Sequence, residues 1–324
     1  MNYCGRNHTG SQKKTWKFIL QLNFDVIITV AVLLGSYLVL RAFHKFQNLR
    51  TASNIILVSL STADGLLAIP RILDIIHLSL RYNAKYLLCV PVSGTFTFFL
   101  VSVIILHLAL MSVERFIAIK FALTYHTIVT KRRARIVSIA MWLWALVVIV
   151  AFPEVLQRAT GKDFRKFRRE INAVSNTSQA LHTRWHLVFQ AASMFLVPLL
   201  IILFSYTYIF IVSYKQRQHV REQCRDVPGK PTIKHQMKGA RTLAIIVALC
   251  LLSITPMLAV TFLRVFCGIS LGGHGHQKLL KQILYDMAMF LNTICNPLIY
   301  GWKNEEFRNA FRKMLKCCLV RKRC

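Results

Sequence analysis

The chain has 324 residues, of which 55% are hydrophobic and only 17% charged, and its formal net charge is +30. Such an apolar composition does not suit the water-facing surface of an ordinary soluble protein. The positive charge would suit a nucleic-acid-binding protein, but the basic residues lie in separate segments between long apolar runs. We therefore predict no nucleic-acid partner.

Seven apolar segments are long enough to cross a bilayer, which takes roughly 20 mostly apolar residues in a helix. A helix satisfies its own backbone hydrogen bonds, whereas the strands of a barrel would be about half as long. The sequence therefore predicts an all-α membrane protein, a bundle of seven transmembrane helices. The predicted spans are 18–43, 53–79, 89–114, 136–155, 185–213, 242–267 and 279–302.

The distribution of charge predicts the orientation of these spans. With the N-terminus outside, four stretches that hold 25 of the 42 Lys and Arg residues lie inside, as the positive-inside rule favours. We expect a multi-pass plasma-membrane protein with an extracellular tail at 1–17, a membrane domain at 18–302 and a cytoplasmic segment at 303–324. The glycosylation sequons at Asn7 and Asn176 both fall on the predicted outer side.

A short eighth helix is predicted after the seventh span. Phe307, Phe311 and Met314 recur at helical spacing among basic residues, a pattern typical of an amphipathic helix that lies along the inner leaflet. Cys317 and Cys318 follow directly. They are either S-acylation sites or free cytosolic thiols.

Polar residues inside spans are costly and indicate pairing or function. Asp64 lies in the middle of the second span, and Asn292, Thr293 and Asn296 lie about one turn apart on the seventh. These four residues could share a hydrated pocket. Pro297 removes a backbone donor and should bend the helix beside Asn296, which predicts a hinge.

Seven sequence features follow one another in order on six of the spans. They are Ser61-Thr62-Ala63-Asp64, Glu114-Arg115-Phe116, Trp142, Pro198, Tyr206, Pro256 and Asn296-Pro297-Leu298-Ile299-Tyr300. With these features the chain resembles the class A, rhodopsin-like G-protein-coupled receptors over nearly its whole length. The resemblance implies an extracellular ligand and a heterotrimeric G protein as partners, no enzymatic activity, and no cofactor except a sodium ion near Asp64.

The resemblance also implies a switch at the inner end of the third span. Glu114 would hold Arg115 in the resting state and release it to the G protein when the sixth span swings outward. Tyr206 and Tyr300 would then turn inward to hold the active arrangement. In physical terms this is an equilibrium between two packings, biased by a ligand that prefers one of them.

Several positions depart from the family pattern. Ser36 stands where the first span usually has asparagine, and Ile254 and Cys250 stand where the sixth usually has tryptophan and phenylalanine. The inner end of the sixth span also lacks an acid that could form a second lock on Arg115. These departures are compatible with a high basal activity, which the sequence does not determine.

The cysteines depart from the family pattern as well. Cys89 matches the start of the third span, but the loop from 154 to 185 contains no cysteine to pair with it. Cys4 and Cys267 are the other candidates on the predicted outer side. A bond from Cys4 to either of the other two is possible in an oxidising exterior, and so are free thiols.

The sequence predicts the receptor class more clearly than it predicts the ligand. Phe96 and Thr97 lie on either side of the site where amine receptors carry an aspartate, which disfavours the usual amine salt bridge. Inner segments such as 122–126 and 306–313 are similar to melanocortin and adenosine receptors, yet Thr261 stands where adenosine receptors carry the asparagine that reads adenine. Neither ligand can be transferred on these grounds.

Two acids remain in the outer halves of spans, Asp74 and Asp286, near Arg71 and Arg264. We expect these acids to form internal ion pairs. In the alternative reading, one acid binds a cationic group of the ligand.

A seven-helix channel or transporter is the alternative from another class. Such proteins usually show repeat symmetry or a line of ionisable residues through the membrane. Only Asp64 lies at mid-depth in this chain, and His107 in the third span is expected to be a packed core residue.

Overall fold

A computed structural model describes residues 8–83, 90–152, 188–223 and 305–320, and within them the side chains of 22–76, 95–152, 188–212, 214, 215 and 306–314. Every regular element in these ranges is helical, which confirms the all-α prediction for them. The sixth and seventh predicted spans, 242–267 and 279–302, lie outside the described residues.

Five helical segments are long and apolar enough to cross a membrane, and they confirm the first five predicted spans. These spans are Leu22–Lys45, Ala52–Ile76, Thr95–Lys120, Lys131–Ala151 and Val188–Val212. The third span continues beyond its predicted end at 114, so Arg115 lies more than a turn before the end of its helix. The α-helices are His8–Lys45, Ala52–Leu66, Ala68–Asn83, Val90–Lys120, Tyr125–Ile128, Lys131–Leu146, Val197–Gln223 and Glu305–Val320, with a 3-10 turn at Gln47–Leu49 and π-helical turns at Val147–Ala151 and Ala192–Leu196.

Prolines account for two of the irregularities. Pro70 has no backbone N–H to donate to the carbonyl of Leu66, and the second span is interrupted at Leu67, between its two helices. In the fifth span, Pro198 removes the same kind of bond to Met194, and the π-helical turn Ala192–Leu196 lies directly before it. The lengths of the apolar runs do not predict either interruption.

The third span forms the centre of the described bundle. It packs against the second, fourth and fifth spans, and Leu100, Val103 and Ile104 are fully buried along it. The first span packs on the second, and the C-terminal helix packs on the first span. Phe307, Ala310 and Met314 bury the apolar face of that helix, which confirms its predicted amphipathic character.

The first two spans approach closely at Gly65 and Ser36. A Cβ added to Gly65 would lie 3.1 Å from the Cβ of Ser36, tighter than most packing contacts. Ser36 itself is buried. The serine that replaces the family's asparagine therefore lies against a residue with no side chain, and the two small residues allow the helices to approach.

Gly65→Leu should destabilise the protein by about 1–3 kcal/mol, because the larger side chain must separate the first two spans. We expect a lower midpoint of thermal denaturation for the purified protein in detergent. The double variant Ser36→Gly, Gly65→Leu should recover part of the loss. An unchanged midpoint in Gly65→Leu would show that the approach is not tight.

Candidate functional site

Arg115 is held by contacts from two spans. Its Nε lies 3.1 Å from Oε2 of the neighbouring Glu114, and its Nη2 donates to Oγ of Ser53 at 2.8 Å. The Glu114 side chain is only 3% exposed, whereas that of Arg115 is 35% exposed. The predicted ion pair is thus present, and Ser53 joins the third span to the first turn of the second.

Tyr125 holds the other side of Glu114. This residue begins the short helix Tyr125–Ile128, and its phenol donates to Oε1 of Glu114. Burial, and then the negative charge of Glu114, raise the pKa of Tyr125. The phenol therefore stays protonated at physiological pH and remains a donor to the carboxylate.

The turn that carries Ser53 is fixed by its own caps. The Thr51 hydroxyl accepts from the backbone N–H of Asn54 at 3.3 Å, and the Asn54 side chain donates to the carbonyl of Leu49 at 2.9 Å. Sequence reasoning identified neither Ser53 nor Tyr125. Ser53 and Arg115 are 62 positions apart, and no spacing rule brings them together.

Aromatic side chains join the third and fifth spans beside Arg115. The ring of Phe116 meets that of Tyr208 edge-on at 4.8 Å, and the ammonium of Lys120 lies 5.3 Å from the Phe116 ring. Tyr206 packs against the core here, on the side of the third span that carries Ser112.

A second polar cluster lies at the centre of the third span. His107 is fully buried, as expected of a core residue, with Nδ1 2.8 Å from the carbonyl of Val103 and Nε2 2.8 Å from Oγ of Ser59. A carbonyl can only accept, so Nδ1 carries the proton, and in the neutral tautomer Nε2 is then an acceptor for the Ser59 hydroxyl. The indole of Trp142 can only donate, and it does so to Ser59 at 2.9 Å. The two hydrogen bonds from Trp142 to Ser59 and from Ser59 to His107 thus link the fourth, second and third spans.

Asp64 lies in the second span and is fully buried. The hydroxyls of Ser36 and Ser61 are also buried and have no hydrogen-bond partner in the described part of the chain. This region is therefore rich in polar atoms. Its predicted partners Asn292, Thr293 and Asn296 lie outside the described residues.

At the opposite end of the bundle from Arg115, an ion pair joins the first two spans. Nη1 of Arg71 donates to Oδ1 of Asp25 at 2.7 Å. Sequence reasoning missed Asp25, although it is an acid inside an apolar run and could have been found by that signal. The internal pair expected for Asp74 is not with Arg71, and Asp74 is exposed, with no ion pair in the described ranges. Phe96 and Thr97 are half-buried on the third span.

The remaining predicted site residues cannot be placed. The side chains of Cys317 and Cys318 are not described, although both residues lie in the helix Glu305–Val320. The residues outside the described ranges are Cys4, Asn7, Cys89, Asn176, Thr261, Cys267, Asp286, Pro297 and Tyr300.

Comparison with known proteins decides the family. The model of the 7 transmembrane receptor (rhodopsin family) matches residues 35–300, most of the chain. The chain belongs to this receptor family. Its relatives include the adenosine receptor A2a of Canis lupus familiaris, 26% identical over 95% of this chain and 74% of the relative. The adenosine receptor A2b of Mus musculus is 28% identical over 91% and 90%, and the octopamine receptor beta-2R of Chilo suppressalis is 27% identical over 96% and 84%.

These matches confirm the class A resemblance and the similarity to adenosine receptors. They identify a multi-pass membrane receptor of the G-protein-coupled class and not an enzyme. The channel or transporter alternative finds no support among the relatives described.

Ser59→Ala should destabilise the receptor, because the buried His107 and the partly buried Trp142 would both lose their partner, at about 1–3 kcal/mol for each group that is left unpaired away from water. We expect a lower midpoint of thermal denaturation in detergent. Ser102→Ala is the matched control, because the buried Ser102 donates only to the carbonyl of Phe98 in its own helix. Equal shifts in the two variants would contradict a link between spans.

Proposed function

We propose that the receptor transmits the binding of an extracellular ligand to a heterotrimeric G protein, through release of Arg115 and outward movement of the sixth span. The observation that carries this proposal is the set of contacts around Arg115. Glu114 and Ser53 hold the guanidinium, yet a third of the side chain remains exposed. A partner at this end of the bundle can therefore reach it.

The Arg115 contacts have the properties of a switch. Arg115 and Glu114 are adjacent in one helix, so breaking the ion pair needs only rotation of the arginine side chain. Ser53 offers a second acceptor on another span, and this contact stands in for the acid that the sixth span lacks. The resting arrangement therefore depends on the packing of the second and third spans, and a ligand that alters this packing shifts the equilibrium.

The Arg115 end faces the cytoplasm and the N-terminus lies outside, in the plasma membrane. The excess of basic residues in the segments on the Arg115 side supports this orientation. It places the sequons Asn7 and Asn176 on the glycosylated side, and Cys317 and Cys318 where S-acylation occurs. Cys4, Cys89 and Cys267 would also lie outside, where Cys4 can form a disulfide bond with either of the other two or all three can remain free thiols.

The polar region around Asp64 is proposed to hold a sodium ion. Asp64 supplies a carboxylate, and Asn292, Thr293 and Asn296 would supply neutral oxygens. The buried hydroxyls of Ser36 and Ser61 add further oxygen atoms in the first and second spans. Hard monovalent cations prefer such oxygen ligands.

The ligand site lies at the opposite end of the bundle and includes Asp74, with Phe96, Thr97, Thr261 and Asp286 as further candidates. On the helix of Asp74, the exposed Ile69, Ile72 and Ile76 mark the lipid-facing side. At 3.6 residues per turn, Asp74 points away from that side. Its exposure is therefore towards the interior of the bundle, where a ligand can reach it.

The names of the relatives do not identify the ligand of this receptor. Adenosine and octopamine, after which these relatives are named, differ chemically, and identities of 26–28% do not separate them. Asp74 favours a ligand with a cationic group, held by a carboxylate on the second span instead of the third.

Arg115→Gln should lower nucleotide exchange on the G protein by roughly tenfold or more, because the active state loses its main contact. Glu114→Gln should raise the exchange, because it releases the arginine. Both are measured without added ligand, as guanine-nucleotide exchange in membranes that contain each class of G protein. Arg41→Gln, which removes an exposed charge elsewhere, should have little effect. Normal signalling from Arg115→Gln at normal surface expression would refute the switch.

Asp74→Cys should react with a membrane-impermeant methanethiosulfonate added outside at least about tenfold faster than Leu73→Cys, because thiols ionise only in contact with water. Leu73 is 41% exposed but lies towards the lipid-facing side. The parent receptor serves as the blank for native cysteines. Equal rates at the two positions would remove Asp74 from the ligand cavity.

A further inference from the structure

Four basic residues crowd the first turn and a half of the fourth span. They are Lys131, Arg132, Arg133 and Arg135, and all four are exposed. The first turn contains no acid, and no ion pair in the described residues involves these side chains. We call this group the helix-four basic cluster.

One member of the cluster has a structural role. Nη1 of Arg133 donates to the carbonyls of Thr127 and Ile128 at 3.0 Å each, and so holds the end of the short helix that carries Tyr125. Lys131, Arg132 and Arg135 make no such contacts within the described part of the chain. Three positive charges therefore stand together without a partner among the described residues.

The cluster lies at the level of lipid headgroups. Arg132, Ile136, Ile139 and Leu143 are spaced by four, three and four residues and share one face of the helix. The three apolar residues are 55%, 58% and 56% exposed, as expected of side chains that contact lipid tails. Arg132 continues this face beyond the last apolar residue, and Arg135 is its neighbour one turn along. Both guanidinium groups thus lie just beyond the ends of the lipid tails, at the level of the headgroups.

We infer that the helix-four basic cluster binds an anionic phospholipid of the cytoplasmic leaflet whose headgroup carries more than one phosphate. This inference rests on the orientation proposed above. Guanidinium groups bind phosphate oxygens in pairs, and basic clusters of this size beside a span are typical of sites for such lipids. A headgroup with several phosphates can contact Lys131, Arg132 and Arg135 together.

The geometry favours a lipid over a protein partner. The face that carries Arg132 is continuous with the exposed apolar side chains of Ile136 and Ile139, so an occupant must present acyl chains next to its anionic group. A soluble acidic protein would have to enter the bilayer to cover the same face. A phospholipid satisfies both requirements.

Native mass spectrometry of the full receptor in detergent micelles tests this site. Phosphatidylinositol 4,5-bisphosphate, phosphatidylserine and phosphatidylcholine are added separately at equal concentration. The parent receptor should bind the bisphosphate lipid most tightly. Arg132→Gln with Arg135→Gln should weaken that binding roughly ten- to thirty-fold, at about 1 kcal/mol for each charge removed. Arg133 is unchanged, so the contact with the loop helix remains.

Two further variants separate the site from general charge and from misfolding. Arg312→Gln with Lys313→Gln removes the same number of exposed charges from the C-terminal helix and should change the affinity by less than about threefold. Arg132→Lys with Arg135→Lys keeps the charges but loses the paired guanidinium contacts, so it should bind the lipid more weakly than the parent and more tightly than the glutamine variant. At a normal midpoint of thermal denaturation, binding no tighter than that of the glutamine variant would contradict a site that depends on positive charge.

Three results would overturn the inference. The affinity could fall equally in the two glutamine variants, the receptor could show no preference among the three lipids, or soluble inositol 1,4,5-trisphosphate could bind as tightly as the lipid. None of these measurements contains a G protein. Lipid binding without nucleotide exchange would therefore refute only the proposed function, and exchange without lipid preference would refute only this site.

Discussion

The lack of hydrogen-bonding partners in a bilayer core is the constraint on which this structure depends. Every polar side chain inside a span must find its partner within the bundle or remain at a cost of several kcal/mol. The third span, at the centre, carries the buried polar residues Ser102, His107, Ser112 and Glu114. Two of them meet this constraint through their own helix, and the other two through contacts with the chain around it. The third span therefore fixes the positions of its neighbours as well as its own.

This constraint makes the two polar clusters of the third span parts of one assembly. His107 binds the second span at Ser59, and Arg115, two turns further on, binds the same span at Ser53. Trp142 adds the fourth span at Ser59. A shift of the second span relative to the third must therefore disturb both clusters. The bond between Arg115 and Ser53 is the more easily broken of the two, because Arg115 is partly exposed and His107 is fully buried.

The sequence predicted what depends on local pattern. The length of apolar runs gave the five described spans, and the spacing of Phe307, Phe311 and Met314 gave the C-terminal helix. Glu114 and Arg115 were identified because their order along the chain is a motif. Ser53 and Tyr125 were missed, because each acts through a contact whose partner no local pattern specifies. Asp25 was overlooked, although an acid inside an apolar run is itself a signal. The end of the third span was also misplaced, because the prediction ended it at Glu114 although the apolar residues Phe116 to Ile119 continue the helix to Lys120.

The charges at the opposite end of the bundle follow from the same constraint and bear on the ligand. Asp25 and Arg71 neutralise each other, and replacing such a pair by apolar residues often costs nothing or stabilises a protein. Its presence in the first two spans is therefore better explained by a functional role than by stability. Asp74, one turn beyond Arg71, adds a second carboxylate, which has no ion pair within the described residues. In the proposed ligand site, Arg71 pairs with Asp25 and so leaves the carboxylate of Asp74 for a cationic group of the ligand.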